Sequence, residues 1–409
     1  MVRDVLCLSH LRWDFVYQRP NHLMVRAARG RRVYFVEEPE FGEAQLDGAD
    51  QPHLRRAVRD GVQVVTPVVP SGLSESFLRT ALARLMDELA ASEEMVEPIL
   101  WYYTPMALPW TRHLRRSALV YDSMDFLAGF RGAPAGLLHL EDELLQGADL
   151  VFSGGARLHG RLATRGANSH CFPSSVDVGH FVAARAAMPE PLDQASIARP
   201  RIGYAGVIDE RLDLGLIDSV AAQRPDWQIV LVGPIAKIDP THISQRPNVH
   251  QLGLKAYAEL PAYLGGWDVG WMPFARNEAT DFISPTKTPE YLAAGLPVVS
   301  TSIHDVINPY GRLGLARIAD SAADTVAAVE AALNAGRAAD REAADAFLAT
   351  LSWDRTWAAM AVLIDGATAA PQGATRPPGA QTATVGARPT DLSVELAGSS
   401  SGRMGRDGL

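Results

Sequence analysis

Short runs of near-continuous apolar residues alternate along the chain with stretches whose apolar positions recur at helical spacing. Asp4–Ser9 (DVLCLS), Arg32–Glu37 (RVYFVE), Val62–Val68 (VQVVTPV), Pro98–Tyr103 (PILWYY), Ala118–Asp122 (ALVYD) and Asp149–Ser153 (DLVFS) predict strands. Apolar residues fill these runs rather than every second position, which marks a parallel sheet covered by helices on both faces. Helical patterns lie between them, at Arg19–Arg29, Glu75–Ala91 and Leu137–Gly147. One doubly wound α/β domain is expected over residues 1–182, ending just after a strand-like Cys171–Ser174.

Residues 183–200 show no sustained period and read as a linker. A second α/β series follows in 201–366: strands at Arg201–Val207, Gln228–Gly233, Val249–Leu252, Asp268–Pro273 and Pro297–Thr301, then helical stretches at Ser321–Asn334 and Asp340–Gly366. Two such domains leave a cleft at the carboxyl ends of their strands, where ligands of this class bind. From residue 367 to 409 Pro, Gly, Ser, Thr and Ala dominate, and a disordered tail is expected because little apolar surface is available to offset ordering.

The length of 409 residues agrees with two domains. A formal charge of −9 argues against a general nucleic-acid binder, which needs a basic surface. Cys7 and Cys171 are the only cysteines, too few for a disulfide framework or a four-cysteine zinc site, so a reducing cytoplasm fits. No signal peptide is expected, because Arg3 and Asp4 interrupt the first apolar run, and no stretch approaches the roughly 20 residues of a membrane span. The expected location is cytoplasmic, with any membrane contact peripheral and at the inner face.

The segment Asp281–Ser300 (DFISPTKTPEYLAAGLPVVS) carries the most chemistry. Pro289 suits the first position of a helix and Thr288 its N-cap, while Gly295 suits its end. Lys287 then stands just before a helix start, a positive focus suited to a diphosphate. Glu290, one turn in, is an acceptor fit for a ribose diol. An acid in a first helical turn is favourable on structural grounds too, so the isolated pattern leaves both readings open.

The run TKTPEYLAAGLPVVS resembles the donor-site signature of GT-B glycosyltransferases of the large retaining group 1 (family 4-like) class, which includes bacterial mannosyl- and glucosyltransferases. Phe172–Phe181 (FPSSVDVGHF) resembles that family's interdomain segment, and Arg201–Asp218 (RIGYAGVIDERLDLGLID) its Gly-loop and following helix. Ser352–Trp357 (SWDRTW) resembles the last helix, which in many members crosses back toward the N-terminal domain. The resemblance implies two Rossmann-like domains facing across a cleft, with acceptor on the N-terminal side and nucleotide sugar on the C-terminal side. It places Glu290 on the ribose, and Gly206, Arg211, Thr286, Lys287 and Thr288 about the donor. The family's signature has a second acid ahead of the ribose glutamate; its position here is Phe282, with Asp281 one place away as the candidate substitute.

In the N-terminal half, Ser9–Pro20 (SHLRWDFVYQRP) lacks the G-x-G-x-x-G of a dinucleotide site. Trp13, Arg19 and His22 are expected at the cleft as acceptor-binding candidates, with loop anchoring and solvation as the alternatives. Asp122 and Asp125, in YDSMDFLAGF, are candidates for acceptor hydroxyls or proton removal, or for capping. Ser153 is a candidate cap for a helix after Gly154–Gly155, and His10, His113, His139 and His159 show no metal-ligand spacing and read as structural.

The expected function is transfer of a hexose from a UDP- or GDP-sugar to a carbohydrate or lipid-linked acceptor, in bacterial cell-surface polysaccharide or glycolipid synthesis. Retention is implied by the resemblance. No cofactor and no metal are expected, with Arg211 and Lys287 taking the charge of the leaving diphosphate. A nucleotide-sugar epimerase and a catalytically silent donor-binding subunit remain as alternatives.

Overall fold

The computed structural model describes residues 3–42, 51–165 and 168–369. Its first sheet is built from β1 (Val5–Leu8), β2 (Val33–Val36), β3 (Glu40–Gly42), β4 (His53–Arg59), β5 (Val62–Pro70), β6 (Ile99–Tyr102), β7 (Ala118–Ser123), β8 (Leu150–Ser153) and β9 (Ser169–Cys171). The strand order is β3-β5-β2-β1-β6-β7-β8-β9, all parallel, with β4 added antiparallel to β5. The second sheet comprises β10 (Arg201–Ala205), β11 (Gln228–Val232), β12 (Val249–Gly253), β13 (Val269–Met272), β14 (Val298–Ser300) and β15 (Ala316–Ile318). Its order is β12-β11-β10-β13-β14-β15, also parallel.

β1, β2, β6, β7 and β8 are buried along their whole length, as strands covered on both faces must be. Four of the strands are not legible as apolar runs. β3, β9 and β15 are three residues each, β9 (SHC) ending at Cys171 where the expected strand Cys171–Ser174 began, and β4 (HLRRAVR) is largely exposed. β4 is held by a tight hairpin to β5 through Asp60 and Gly61, at φ +50° and +82°, a turn that suits Asp-Gly.

The helical stretch expected over 340–366 is two helices, Arg341–Leu348 and Trp353–Ala369. The second does not cover the second sheet. Trp353, Met360 and Ile364 complete the core on one face of the first sheet, as the resemblance to a crossing-back last helix implied. Arg26 of the helix Arg19–Ala27 and Arg29 just after it pair with Asp354 at 3.2 and 2.6 Å, and Arg31 pairs with Asp365. The helix runs on through Ala369, past the expected start of the tail; residues 370–409 lie outside the described residues.

In each sheet the strand order reverses once, between β1 and β6 and between β10 and β13. Crevices at the carboxyl ends of such strands are the usual ligand sites of open α/β sheets. The chain leaves β1 into Ser9–His10 and leaves β10 into Gly206–Val207. Among the described residues no helix is long and apolar enough to cross a membrane.

Candidate active site

Two glycines set the geometry at the end of the second sheet. Gly206, just after β10, has φ +153°, and a Cβ there would lie 2.3 Å from Cε of Lys287. Gly233, just after β11, has φ +145°, and its Cβ would lie 1.9 Å from the Gly206 carbonyl oxygen. Only residues without side chains let the two loops close on each other and let Lys287 lie across them. Lys287 Nζ also stands 5.6 Å from the centre of the Tyr204 ring.

The helix carrying Lys287 runs Lys287–Ala293, with Thr286 at its N-cap. This corrects the expected start at Pro289. Thr288 is fully buried and its hydroxyl meets the Met272 sulfur at 3.6 Å, so it neither caps the helix nor faces a phosphate. Gly295 ends the helix as expected, at φ +75°, with the Leu296 N–H on the Tyr291 carbonyl at 2.9 Å. The Tyr291 hydroxyl accepts the Ala205 N–H at 2.7 Å, which ties the helix to the end of β10. Burial lowers the pKa of Lys287, opposed by Glu290 and reinforced by Arg211. Burial raises that of Glu290, opposed by Lys287 and by a hydrogen bond with Thr286.

Arg211 lies on the same loop as Gly206. Its Nε bonds both carboxylate oxygens of the buried Asp209 at 3.0 Å and its Nη2 bonds one at 2.6 Å. Burial opposes the Arg211 charge, but the Asp209 bonds outweigh it and raise its pKa. Arg211 Cζ lies 5.5 Å from the ring centre of Phe130, which belongs to the first domain. Lys237, on the loop after β11, lies 5.3 Å from the same ring. Asp125 joins this group across the domain boundary: burial raises its pKa, against the charges of Arg211, Arg19 and Lys287.

Gly206, Arg211, Lys287, Glu290, Thr286 and Asp125 therefore come together. Other expected site residues do not. Arg19 and Asp122 are each at most 3% exposed and form a buried pair, Nη2 to Oδ1 at 2.9 Å, with Arg19 Nη1 on the Phe172 carbonyl at 2.6 Å. A guanidinium and a carboxylate so enclosed have no free edge for an acceptor. Trp13 is buried edge-on against Phe35 at 5.0 Å, and its backbone N–H donates to Glu37 at 2.7 Å, so it anchors the loop. His22 is buried between Trp353, stacked at 4.7 Å, and Tyr17. Asp281 pairs with Arg157 of the first domain at 3.1 Å, and Phe282 packs on Phe126 at 5.2 Å, so the acid next to Phe282 joins the two domains. Ser153 is the last residue of β8 and leaves the following helix to another cap.

The family described as glycosyl transferases group 1 matches residues 199–335, which hold Gly206, Arg211, Lys287 and Glu290. TuaH of Bacillus subtilis (strain 168), named as a teichuronic acid biosynthesis glycosyltransferase, is 28% identical over 247 residues. That match covers 56% of this chain and 62% of TuaH, so the chain spans less than two thirds of that relative. Sucrose-phosphate synthase from Thermosynechococcus elongatus superposes with a TM-score of 0.66 at 14% identity, over 89% of this chain and 99% of that one. HepE of Anabaena, solved with UDP and glucose, superposes with a TM-score of 0.61 at 16% identity, over 89% and 100%. Residues 199–335 are thus similar to the group 1 glycosyltransferases, and the fold of the chain is GT-B.

In this GT-B chain the cleft also holds residues that sequence patterns did not single out. Phe130 and Lys237 meet only because the two domains face each other. His10 follows β1 at the first sheet's reversal point, and its Nδ1 is enclosed without a hydrogen-bond partner. Both carboxylate oxygens of Glu210, beside Arg211 in the chain, are likewise enclosed and unpartnered. No periodicity or spacing marks any of these four. Among the described residues, no three His, Cys, Asp or Glu side chains form a group able to hold a metal ion.

Proposed function

We propose that the chain transfers a hexose from a UDP- or GDP-sugar to a carbohydrate or lipid-linked acceptor, with retention of configuration and without a metal ion. The observation that carries this reading is Lys287 lying across Gly206, on the loop that also holds Arg211 against Asp209. Two cations fixed at the reversal point of the second sheet suit a diphosphate whose charge grows as the bond to the sugar breaks. Arg211 Nη1 lies outside the bonds to Asp209 and is the edge that would meet the phosphate. Glu290, in the first turn of the Lys287 helix, would take the ribose hydroxyls.

In the transfer, the bond between the anomeric carbon and the diphosphate oxygen breaks, and the acceptor oxygen bonds to that carbon from the same face. The acceptor proton passes to the departing phosphate oxygen. Arg211 and Lys287 stabilise the leaving group, and the residues facing them from the first domain orient the acceptor. Solved structures with UDP, glucose and UDP-glucose in HepE support a nucleotide-sugar donor, and the name of TuaH, with its teichuronic acid biosynthesis, supports a role in polysaccharide synthesis. The proposed location is the cytoplasm, with peripheral contact at the membrane where a lipid-linked acceptor would be met.

Calorimetry with UDP and GDP, followed by transfer assays pairing sugar nucleotides with saccharide and lipid-linked acceptors, tests the reading. Product carrying the donor hexose in the retained configuration is the expected result. Conversion of the donor sugar to its epimer without transfer would replace transferase by epimerase. Nucleotide binding with neither reaction would leave a donor-binding subunit.

A further inference from the structure

A cavity of about 630 Å³ at the foot of the first sheet has no part in the transfer. Arg3, on its wall, stands just before β1, and Arg29 and Arg31 belong to the turn between the helix Arg19–Ala27 and β2. The cavity therefore lies at the amino ends of the parallel strands, away from the carboxyl ends that form the cleft. Its volume falls within the roughly 300–1,000 Å³ of small-molecule sites. Gly30 also lines it, and a Cβ there would meet nothing within 4 Å, so the wall is open at that point.

The lining is cationic. Arg3, Arg26, Arg29 and Arg31 line it from the first domain, with Trp357 and Asp365 from the helix Trp353–Ala369. Asp354 takes Arg26 and Arg29, and Asp365 takes Arg31. Glu97 lies 3.8 Å from Arg3 but is held more closely by Arg115, at 2.7 Å. Three carboxylates thus serve five guanidiniums, which leaves two positive charges in a chain whose formal charge is −9. Arg29 is the least engaged. It makes one hydrogen bond, from Nη1 to Asp354, and its side chain is 64% exposed, so most of its donors remain for a ligand. Guanidinium forks match the oxygens of phosphate, and Trp357 adds apolar surface for whatever carries the phosphate.

We propose that this cavity binds a phosphate group of a second ligand, at a site separate from the donor diphosphate. The proposal stands whether or not the donor reading holds. The phosphate comes from a soluble compound or from a lipid headgroup, and the two sources are told apart by the probe that binds. Because one wall is the helix that crosses back from the second domain, the bound phosphate would tie that helix to the first domain.

Calorimetry on the full chain with sodium pyrophosphate, and sedimentation with vesicles of phosphatidylglycerol or phosphatidylcholine, test it. Wild type is compared with Arg29→Gln, Asp365→Asn and Lys287→Ala. Arg29→Gln should bind about 3- to 5-fold more weakly, as one exposed charge contact is lost. Asp365→Asn should bind about 2- to 5-fold more tightly, because it removes the carboxylate that competes for Arg31. A gain of affinity cannot come from misfolding, so this variant guards the test against a loss of structure in the other. Lys287→Ala should keep the site. Pyrophosphate binding that follows this order identifies a soluble phosphate compound. Binding to phosphatidylglycerol but not phosphatidylcholine vesicles, in the same order, identifies a lipid headgroup. No binding of either probe by wild type would overturn the proposal, as would equal binding by wild type, Arg29→Gln and Asp365→Asn. Loss in Lys287→Ala alone would place the phosphate at the donor site and overturn it too.

Discussion

Asp305 and Ala156 belong to opposite domains, and the Asp305 carboxylate accepts the Ala156 N–H at 2.8 Å. The next N–H, of Arg157, reaches the same carboxylate at 3.2 Å. Both are orphan donors at the start of the helix Ala156–Ala163, so a side chain of one domain caps a helix of the other. Gly155 permits the approach, since a Cβ there would lie 2.3 Å from Asp305 Oδ2. The contact continues through Arg157 to Asp281 and through the Ser174 N–H to Ser284 Oγ at 3.3 Å.

Asp305→Ala should lower unfolding stability in urea by about 1 kcal/mol, the usual worth of an N-cap. Asp305→Asn, which keeps an acceptor, should lose less. Gly155→Ala attacks the same contact, so the double variant should lose less than the two single losses added together. Full additivity would show that Gly155 and Asp305 do not act on one contact in solution.

Glu290→Ala should weaken UDP or GDP binding more than Glu290→Gln, because glutamine keeps one acceptor for the ribose diol. Calorimetry of the two variants beside wild type makes the comparison. Unchanged affinity in both would return Glu290 to the role of an acid that favours a helix start.

Lys287→Ala should lower kcat far more than it raises the donor KM, because leaving-group charge peaks in the transition state. Arg211→Ala should act in the same direction. Transfer should persist in excess EDTA, the fixed cations supplying the charge. Complete loss of activity that magnesium restores would end the metal-free mechanism, and unchanged kinetics in Lys287→Ala would move the donor site elsewhere.

Burial is the main cause that lowers the pKa of His22 to about 3 and of His10 to about 4. Between these values and the unfolded value near 6.5, the unfolded chain binds more protons than the folded one. Stability is therefore complete above pH 6.5 and is lost as pH falls, with a limiting slope of about 1.4 kcal/mol per pH unit for each histidine. Urea unfolding at pH 7, 6 and 5 should show the decline. His22→Phe, which keeps a ring on Trp353, should flatten it by roughly half over that range. An identical slope in wild type and His22→Phe would mean that His22 titrates normally in the folded state.

The strands that are legible in sequence are the ones buried on both faces. VLCL, VYFV and ILWY announce themselves because every residue of each must be apolar. β4 is not legible, since its residues face solvent and its place is set by pairing with β5. In the same way Lys287 and Glu290 were legible, being neighbours within one short segment whose backbone is shaped by Gly295 and the helix start. Arg19, Asp122, Trp13 and His22 are polar or aromatic residues near strand ends, a pattern that suits a cleft and an interior equally well.

By itself, then, the sequence determined two parallel sheets, their order along the chain and the segment that carries Lys287 and Glu290, because these depend on local period and on neighbours in the chain. The tertiary structure alone decided which polar groups meet the cleft. Arg19 is withdrawn by Asp122 and His22 by Trp353, partners remote in sequence whose burial supplies the energy to enclose them. Phe130 reaches Arg211 and Lys237, and Asp305 reaches Ala156, only across the domain boundary, so no stretch of sequence holds both halves of either contact.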